Sequence, residues 1–162
     1  MKNKGFTLIE LVVVIVILGI LAVVAAPKFM GLQRDARIAD LKGLEGSLKA
    51  ANEMVYAKAA MKGLEHSQAQ EGTPSIGSNA PKNSIDINGN EVTLHYGYIL
   101  PNEDNLKKIL NLGEDWNIQG GGITARFPIH ITPKTAPTLN CYLSYGFQNW
   151  NIPQYKLETS GC

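Results

Sequence analysis

Several residue types in this sequence are spaced so that they invite a chemical reading. Glu103-Asp104 and Glu114-Asp115 are adjacent carboxylates that could share acid–base work, but no candidate nucleophile or base stands beside either pair, so both read as solvated surface. Asp86, Asn88 and Asn90 alternate like the start of a calcium loop. The sixth position of that loop is Glu91 rather than glycine and the twelfth is Gly97 rather than glutamate, so the pattern fails. Gly120-Gly121-Gly122 lacks the lysine and hydroxyl of a phosphate loop and reads as a turn. His66, His95 and His130 have no metal-ligand spacing, and Cys141 and Cys162 have no oriented base that would make either a catalytic thiol. The residues therefore point to no catalytic site, no metal and no cofactor. One carboxylate is harder to dismiss. Glu10 stands near the start of a long apolar run.

That run dominates the composition. From Leu11 to Ala26 no side chain is polar, while the rest of the chain is comparatively hydrophilic. As a helix, Phe6 to Ala26 spans roughly 31 Å at about 1.5 Å per residue, close to the thickness of a bilayer core. The leader Met1-Lys2-Asn3-Lys4-Gly5 carries two lysines, which favour a cytoplasmic N-terminus and send the remainder outward. A cleaved secretory signal peptide is one reading, although the run exceeds the usual ~7–15 apolar residues. A plain membrane anchor is another. It leaves Glu10 unexplained, because a carboxylate within a span costs about 2–3 kcal/mol at depth and usually has a partner. With 15 basic and 14 acidic residues the net charge is +1, which excludes a basic nucleic-acid binder as the default, so no nucleic acid is expected as a partner. A charged fraction of 18% with 44% hydrophobic residues also excludes a disordered chain.

The membrane topology puts Cys141 and Cys162 outside the cytoplasm. In an oxidising compartment one disulfide is the natural result, worth about 3 kcal/mol by loop entropy. Tyr142, Tyr145, Phe147, Trp150 and Tyr155 lie within the loop it would close, and most are expected to fill space beneath it.

The elements that position these residues can be read from periodicity. Leu41, Leu44, Leu48, Ala51 and Val55 recur at three- and four-residue steps, and Ala50, Met54, Ala57 and Met61 form an adjacent row. Together they predict a broad apolar helical stripe packed on a sheet, in a helix running from near Phe6 to about His66. Gly19 and Pro27 weaken or kink its first half. Residues 67–84 read as a loop. Asn88-Gly89 between Ile85-Asp86-Ile87 and Val92-Thr93-Leu94 predicts a hairpin. A short helix is expected over Pro101 to Leu112, with Asn102 as N-cap and Gly113 as its stop. Strands are expected over Ile123 to Thr132, with Pro128 forcing an edge or bulge, over Leu139 to Tyr145, and near Tyr155 to Glu158. In the second of these Leu139, Cys141, Leu143 and Tyr145 share one face.

Gly5-Phe6-Thr7-Leu8-Ile9-Glu10, after a short basic leader and before a long apolar run, resembles the prepilin signal of the type IV pilin family. The resemblance implies the type IV pilin fold, α+β, with a long N-terminal helix packed on an antiparallel β-sheet head. It implies cleavage between Gly5 and Phe6 by a prepilin peptidase that also N-methylates Phe6. It further implies that the apolar segment is retained, first as an inner-membrane anchor and then as the core of a filament, where part of the stretch from Gly19 to Pro27 loses helicity in related pilins. Cleavage turns the Phe6 amide into an ammonium, which Glu10 of a neighbouring subunit can neutralise. The implied organisation is a leader at 1–5, a fibre-core helix at 6–27, its amphipathic continuation at 28–66, a variable loop at 67–84, and a head at 85–162 with a disulfide loop at 141–162. Removing Lys2 and Lys4 leaves 13 basic residues against 14 acidic, so heads can pack without strong mutual repulsion. The implied partners are other copies of the chain, the peptidase, and an assembly machinery with an ATPase and an inner-membrane platform. Ala25 to Arg37, Leu41 to Ala60 and Thr159-Ser160-Gly161-Cys162 are similar to the mannose-sensitive haemagglutinin pilins, which implies surface attachment, biofilm formation and surface glycans as a further partner. A type II secretion pseudopilin, which shares the N-terminus, is the alternative.

Overall fold

A computed structural model describes residues 6–68, 83–121, 128–149 and 151–162, the side chains of 27–30 excepted. It falls into two units divided between Ala36 and Arg37.

In the first unit the chain enters helix α1 (Leu8–Met61), which continues into the second unit. The backbone is helical through Gly19 and Pro27. Every large apolar side chain from Leu8 to Val24 is exposed.

In the second unit, α1 buries a single row: Leu41, Leu44, Leu48, Val55 and Ala59. The adjacent row does not pack. Ala50 and Ala57 are exposed, as are Met54 and Met61, at 46% and 80%. The buried row is narrower than expected because the sheets cover only one side of the helix, and Asn52, fully buried, stands in the middle of that row. The helix ends short of His66, and the reason is Gly63. With φ +68° it turns left-handed, and its N–H donates to Ala60 O (3.1 Å) while Leu64 N–H donates to Ala59 O (3.0 Å). This is a Schellman stop, with Leu64 packed back on the core.

Three strands, β1 (Ser84–Ile87), β2 (Asn90–His95) and β3 (Tyr98–Ile99), form one antiparallel sheet in the order β1-β2-β3. The first turn is the expected one, with Asn88 and Gly89 at φ 53° and 82°. The second, Tyr96-Gly97, also has positive φ at both residues, although tyrosine gives no sequence signal for it. Gly97 is required twice over, since a Cβ there would lie 2.9 Å from the Tyr56 ring.

Helix α2 (Glu103–Leu110) starts at Asn102, whose side chain accepts from Asn105 N–H at 2.7 Å. It stops at Asn111, which takes the left-handed conformation two residues before the expected Gly113. Asn105 docks α2 on β2 by accepting from Thr93 N–H and donating to Thr93 O, as a neighbouring strand would.

The second sheet is antiparallel in the order β4 (Trp116–Gly120), β5 (Ile129–Pro133), β6 (Tyr142–Gln148), β7 (Ile152–Glu158). Strand β4 was not expected. Because it pairs with β5, β5 is interior rather than an edge, and Pro128 lies just before it, outside the ladder. Gly122 and residues 123–127 of the expected strand, the loop at 69–82 and Trp150 lie outside the described residues. Leu139 is 79% exposed and lies outside β6, so it does not share the buried face of Cys141, Leu143 and Tyr145. The architecture is α+β, with one core drawing on α1, both sheets and α2.

Candidate functional site

The N-terminal group is built by the first turn of α1. Thr7 is its N-cap: Glu10 N–H meets Thr7 Oγ1 at 3.3 Å, while Thr7 N–H and Thr7 Oγ1–H both donate to Glu10 Oε2 at 2.9 Å. Thr7 and Glu10 thus form a reciprocal capping box, the Thr-x-x-Glu pattern written in the sequence. No expectation covered Thr7, although that spacing was the signal. Both contacts to the carboxylate fall on Oε2. Phe6 is 91% exposed beside it. Gly5 lies outside the described residues. α1 is the one described helix long and apolar enough to cross a membrane, and no part of that apolar window is buried within the chain.

In the head, a polar hub joins the helix to both sheets. Asn52 Oδ1 accepts from Ile99 N–H at 3.0 Å, and its Nδ2 donates to Tyr155 Oη at 2.6 Å. Tyr145, fully buried, donates its hydroxyl proton to Ile99 O at 2.5 Å. One asparagine on α1 thereby holds β3 of one sheet and β7 of the other. Burial pushes the Tyr155 phenol up to about 12 and the Tyr145 phenol well above the ordinary tyrosine value, so both act as neutral hydroxyls. The Tyr145 and Tyr155 rings stack at 5.4 Å, and Lys49 Nζ lies 5.3 Å from the centre of the Tyr155 ring. The signal for Asn52 was its position on the apolar stripe, which a search for hydrophobic periodicity passes over.

Cys141 and Cys162 are joined by a disulfide across 21 positions, with Cα atoms 4.8 Å apart. Cys141 is fully buried, directly before β6. Arg37 on α1 donates from Nη1 to Cys162 O at 2.7 Å, so the helix grips the disulfide from the other side. Gly161 passes beneath Thr138 so closely that any Cβ would collide with the Thr138 hydroxyl. Tyr145 and Phe147, within the disulfide loop, pack into the core, whereas Tyr142 stacks on His130 on the opposite face of the sheet. Among the described residues, no three His, Cys, Asp or Glu side chains converge as a metal site would require.

Comparison with known proteins matches residues 1–26 to the prokaryotic N-terminal methylation motif. The chain is 45% identical over 51 residues to the type IV narrow pilus major component PilA5 of Thermus thermophilus, covering 32% of this chain and 44% of that protein. It is 42% identical over 67 residues to the fimbrial protein EcpB of Eikenella corrodens, covering 41% and 42%. It is also 47% identical over 51 residues to the type II secretion system core protein G of Klebsiella pneumoniae, covering 29% and 36%. The chain therefore spans less than half the length of each of these relatives. No solved structure matches it. The methylation motif over residues 1–26 and the pilin relatives agree in their resemblance to type IV pilins.

Proposed function

We propose that the chain is the major structural subunit of a type IV pilus and has no enzymatic step of its own. The observation that carries this reading is the conjunction at the N-terminus. A methylation motif over residues 1–26 takes in the start of a helix whose apolar part is, among the described residues, nowhere buried within its own chain. Such a helix must be covered, first by lipid and then by copies of itself. The peptidase cuts between Gly5 and Phe6 and N-methylates Phe6. Before assembly the helix at 6–27 anchors the subunit in the inner membrane, with the N-terminus cytoplasmic and the head periplasmic. The ATPase and inner-membrane platform then lift subunits into an extracellular filament, whose heads attach cells to surfaces, including surface glycans, and seed biofilms.

Glu10 supplies the assembly chemistry. Its carboxylate is held in place by Thr7 through Oε2, and its charge can be neutralised by the Phe6 ammonium of a neighbour. In an apolar core this pairing neutralises two costly charges and fixes axial register. The backbone is helical through Gly19 and Pro27 in the subunit, and the loosening that the pilin resemblance implies is proposed for the filament.

The match to core protein G sustains a second reading, a periplasmic pseudopilus for protein secretion. Immunoblotting of material sheared from intact cells separates the two. The chain is expected in the sheared fraction. Its confinement to the cell envelope would establish the secretion reading and remove the attachment role.

A further inference from the structure

The sequence holds one Asn-Gly step, Asn88-Gly89, and the fold sets it at the tip of the β1–β2 hairpin, where both residues are exposed. Among the described residues no hydrogen bond holds the Asn88 side-chain amide. Its carbonyl carbon is one bond short of a five-membered ring with the Gly89 nitrogen, and Gly89 has no side chain to crowd that approach. Asn111 and Asn149 take the same left-handed backbone, each at φ 49°, but leucine and tryptophan follow them, and a side chain on the following residue crowds the attacking nitrogen.

The reaction open to such a pair needs only water. The Gly89 nitrogen gives up its proton and attacks the carbonyl carbon of the Asn88 side chain. A new C–N bond forms, the side-chain amide C–N bond breaks, and the leaving nitrogen takes up a proton and departs as ammonia. Water then opens the cyclic imide. Opening at the side-chain carbonyl leaves aspartate at 88, and opening at the main-chain carbonyl leaves isoaspartate, whose backbone runs through Cβ. No electrons are exchanged, and one water enters for each ammonia lost.

One hydrogen bond stands in the way. Gly89 N–H donates to Asp86 Oδ1 at 3.1 Å. The proton that must leave is thus pinned against a carboxylate, and the anionic nitrogen left behind would face a negative charge. The turn holds this arrangement with φ 53° at Asn88 and 82° at Gly89. Ring closure therefore waits for the turn to open locally and for the Asp86 contact to break.

The products do not fit the turn. Isoaspartate adds one backbone atom to a two-residue loop whose length sets the pairing of Ile87 with Asn90. Either product adds a carboxylate beside Asp86 and Glu91, which already stand opposite one another across the ladder. Ile85, Ile87 and Val92 are buried by that same register.

We propose that Asn88 is a self-modification site guarded by Asp86: with age it converts to aspartate and isoaspartate through attack by the Gly89 nitrogen, and the hairpin loosens as it does. Only the folded chain and water are needed, so the site stands whether the chain builds a pilus or a pseudopilus.

The test is peptide mass spectrometry of the full chain, solubilised in detergent and incubated at neutral pH. The tryptic peptide 83–107 also holds Asn83, Asn90, Asn102 and Asn105 as internal references. Conversion is expected at Asn88 and not at those references, with isoaspartate identified by its electron-transfer fragments. Unfolding the chain in guanidinium should speed conversion, because the Asp86 contact is lost. Asp86→Ala should speed it about tenfold in the folded chain, the worth of one hydrogen bond to a charged acceptor, and leave the rate in guanidinium unchanged. An Asn88 that stays intact in the folded chain, or converts no faster than its references, overturns the site. A folded-state rate unchanged by Asp86→Ala overturns the guard. Should that variant lose the hairpin, Asp86→Asn decides, since it keeps an acceptor for Gly89 N–H without the charge: an intermediate rate is expected, and an unchanged one removes the guard. Amide exchange over β1 and β2 should rise in the converted chain, and unchanged exchange there would remove the loosening.

Discussion

Asn52 shows how one polar side chain can organise a head. Leucine at that position would bury well, but Ile99 N–H and the Tyr155 hydroxyl would lose their partner. Asn52→Ala should therefore destabilise the chain by about 1–3 kcal/mol, the cost of leaving buried polar groups unmatched, read as a lower midpoint in chemical denaturation. Tyr155 carries a pH signature. Its phenol is raised from 10.0 to about 12 by burial, so the folded chain keeps a proton that the unfolded chain gives up. That stabilisation is complete below about pH 10 and is lost as pH rises towards 12. The unfolding midpoint should fall steeply across this window, and Tyr155→Phe should flatten the fall. Glu10→Ala belongs to the same scale. The variant should insert and be cleaved normally but yield few sheared filaments; normal filament numbers would contradict its role in register.

Among the elements, α1 carries the head by one row of apolar residues. Leu48, fully buried in the middle of that row, should cost about 2–5 kcal/mol when cut to alanine, measured by thermal or denaturant unfolding. Met54→Ala, on the exposed side of the same helix, should change the isolated subunit by far less. This scale also shows which elements the sequence made legible. The Asn88-Gly89 hairpin and the Asn102-capped helix carry local chemistry that fixes them wherever they occur. Strand β4 was hidden because Asn117 and Gln119 alternate with only Trp116 and Ile118, and only pairing with β5 makes it a strand. The Tyr96-Gly97 turn was hidden because tyrosine adopts positive φ only where the fold holds it there, here by a backbone bond from Tyr96 N–H to Ser67 O at 2.8 Å. The exposed Met54 row was misread because periodicity reports which residues are apolar and not which side the sheet occupies.

At the scale of the whole molecule, the motif-bearing N-terminus was legible almost completely, since Gly5 through Glu10 and the apolar run are local patterns. The parts that needed long-range closure were not. Arg37 reaching Cys162 and Asn52 reaching Tyr155 each span more than a hundred positions, and no local pattern announces either. Removing the disulfide with Cys141→Ser and Cys162→Ser together should lower head stability by about 3 kcal/mol and free the segment that Arg37 grips, raising amide exchange after Glu158. Retention of the apolar helix and modification of its new N-terminus are tested most directly by intact and peptide mass spectrometry of the chain from sheared filaments. The expected chain begins at N-methylated Phe6, with Cys141 and Cys162 bridged. A chain beginning beyond Ala26, with the apolar run removed, or one still beginning at Met1 would contradict this processing.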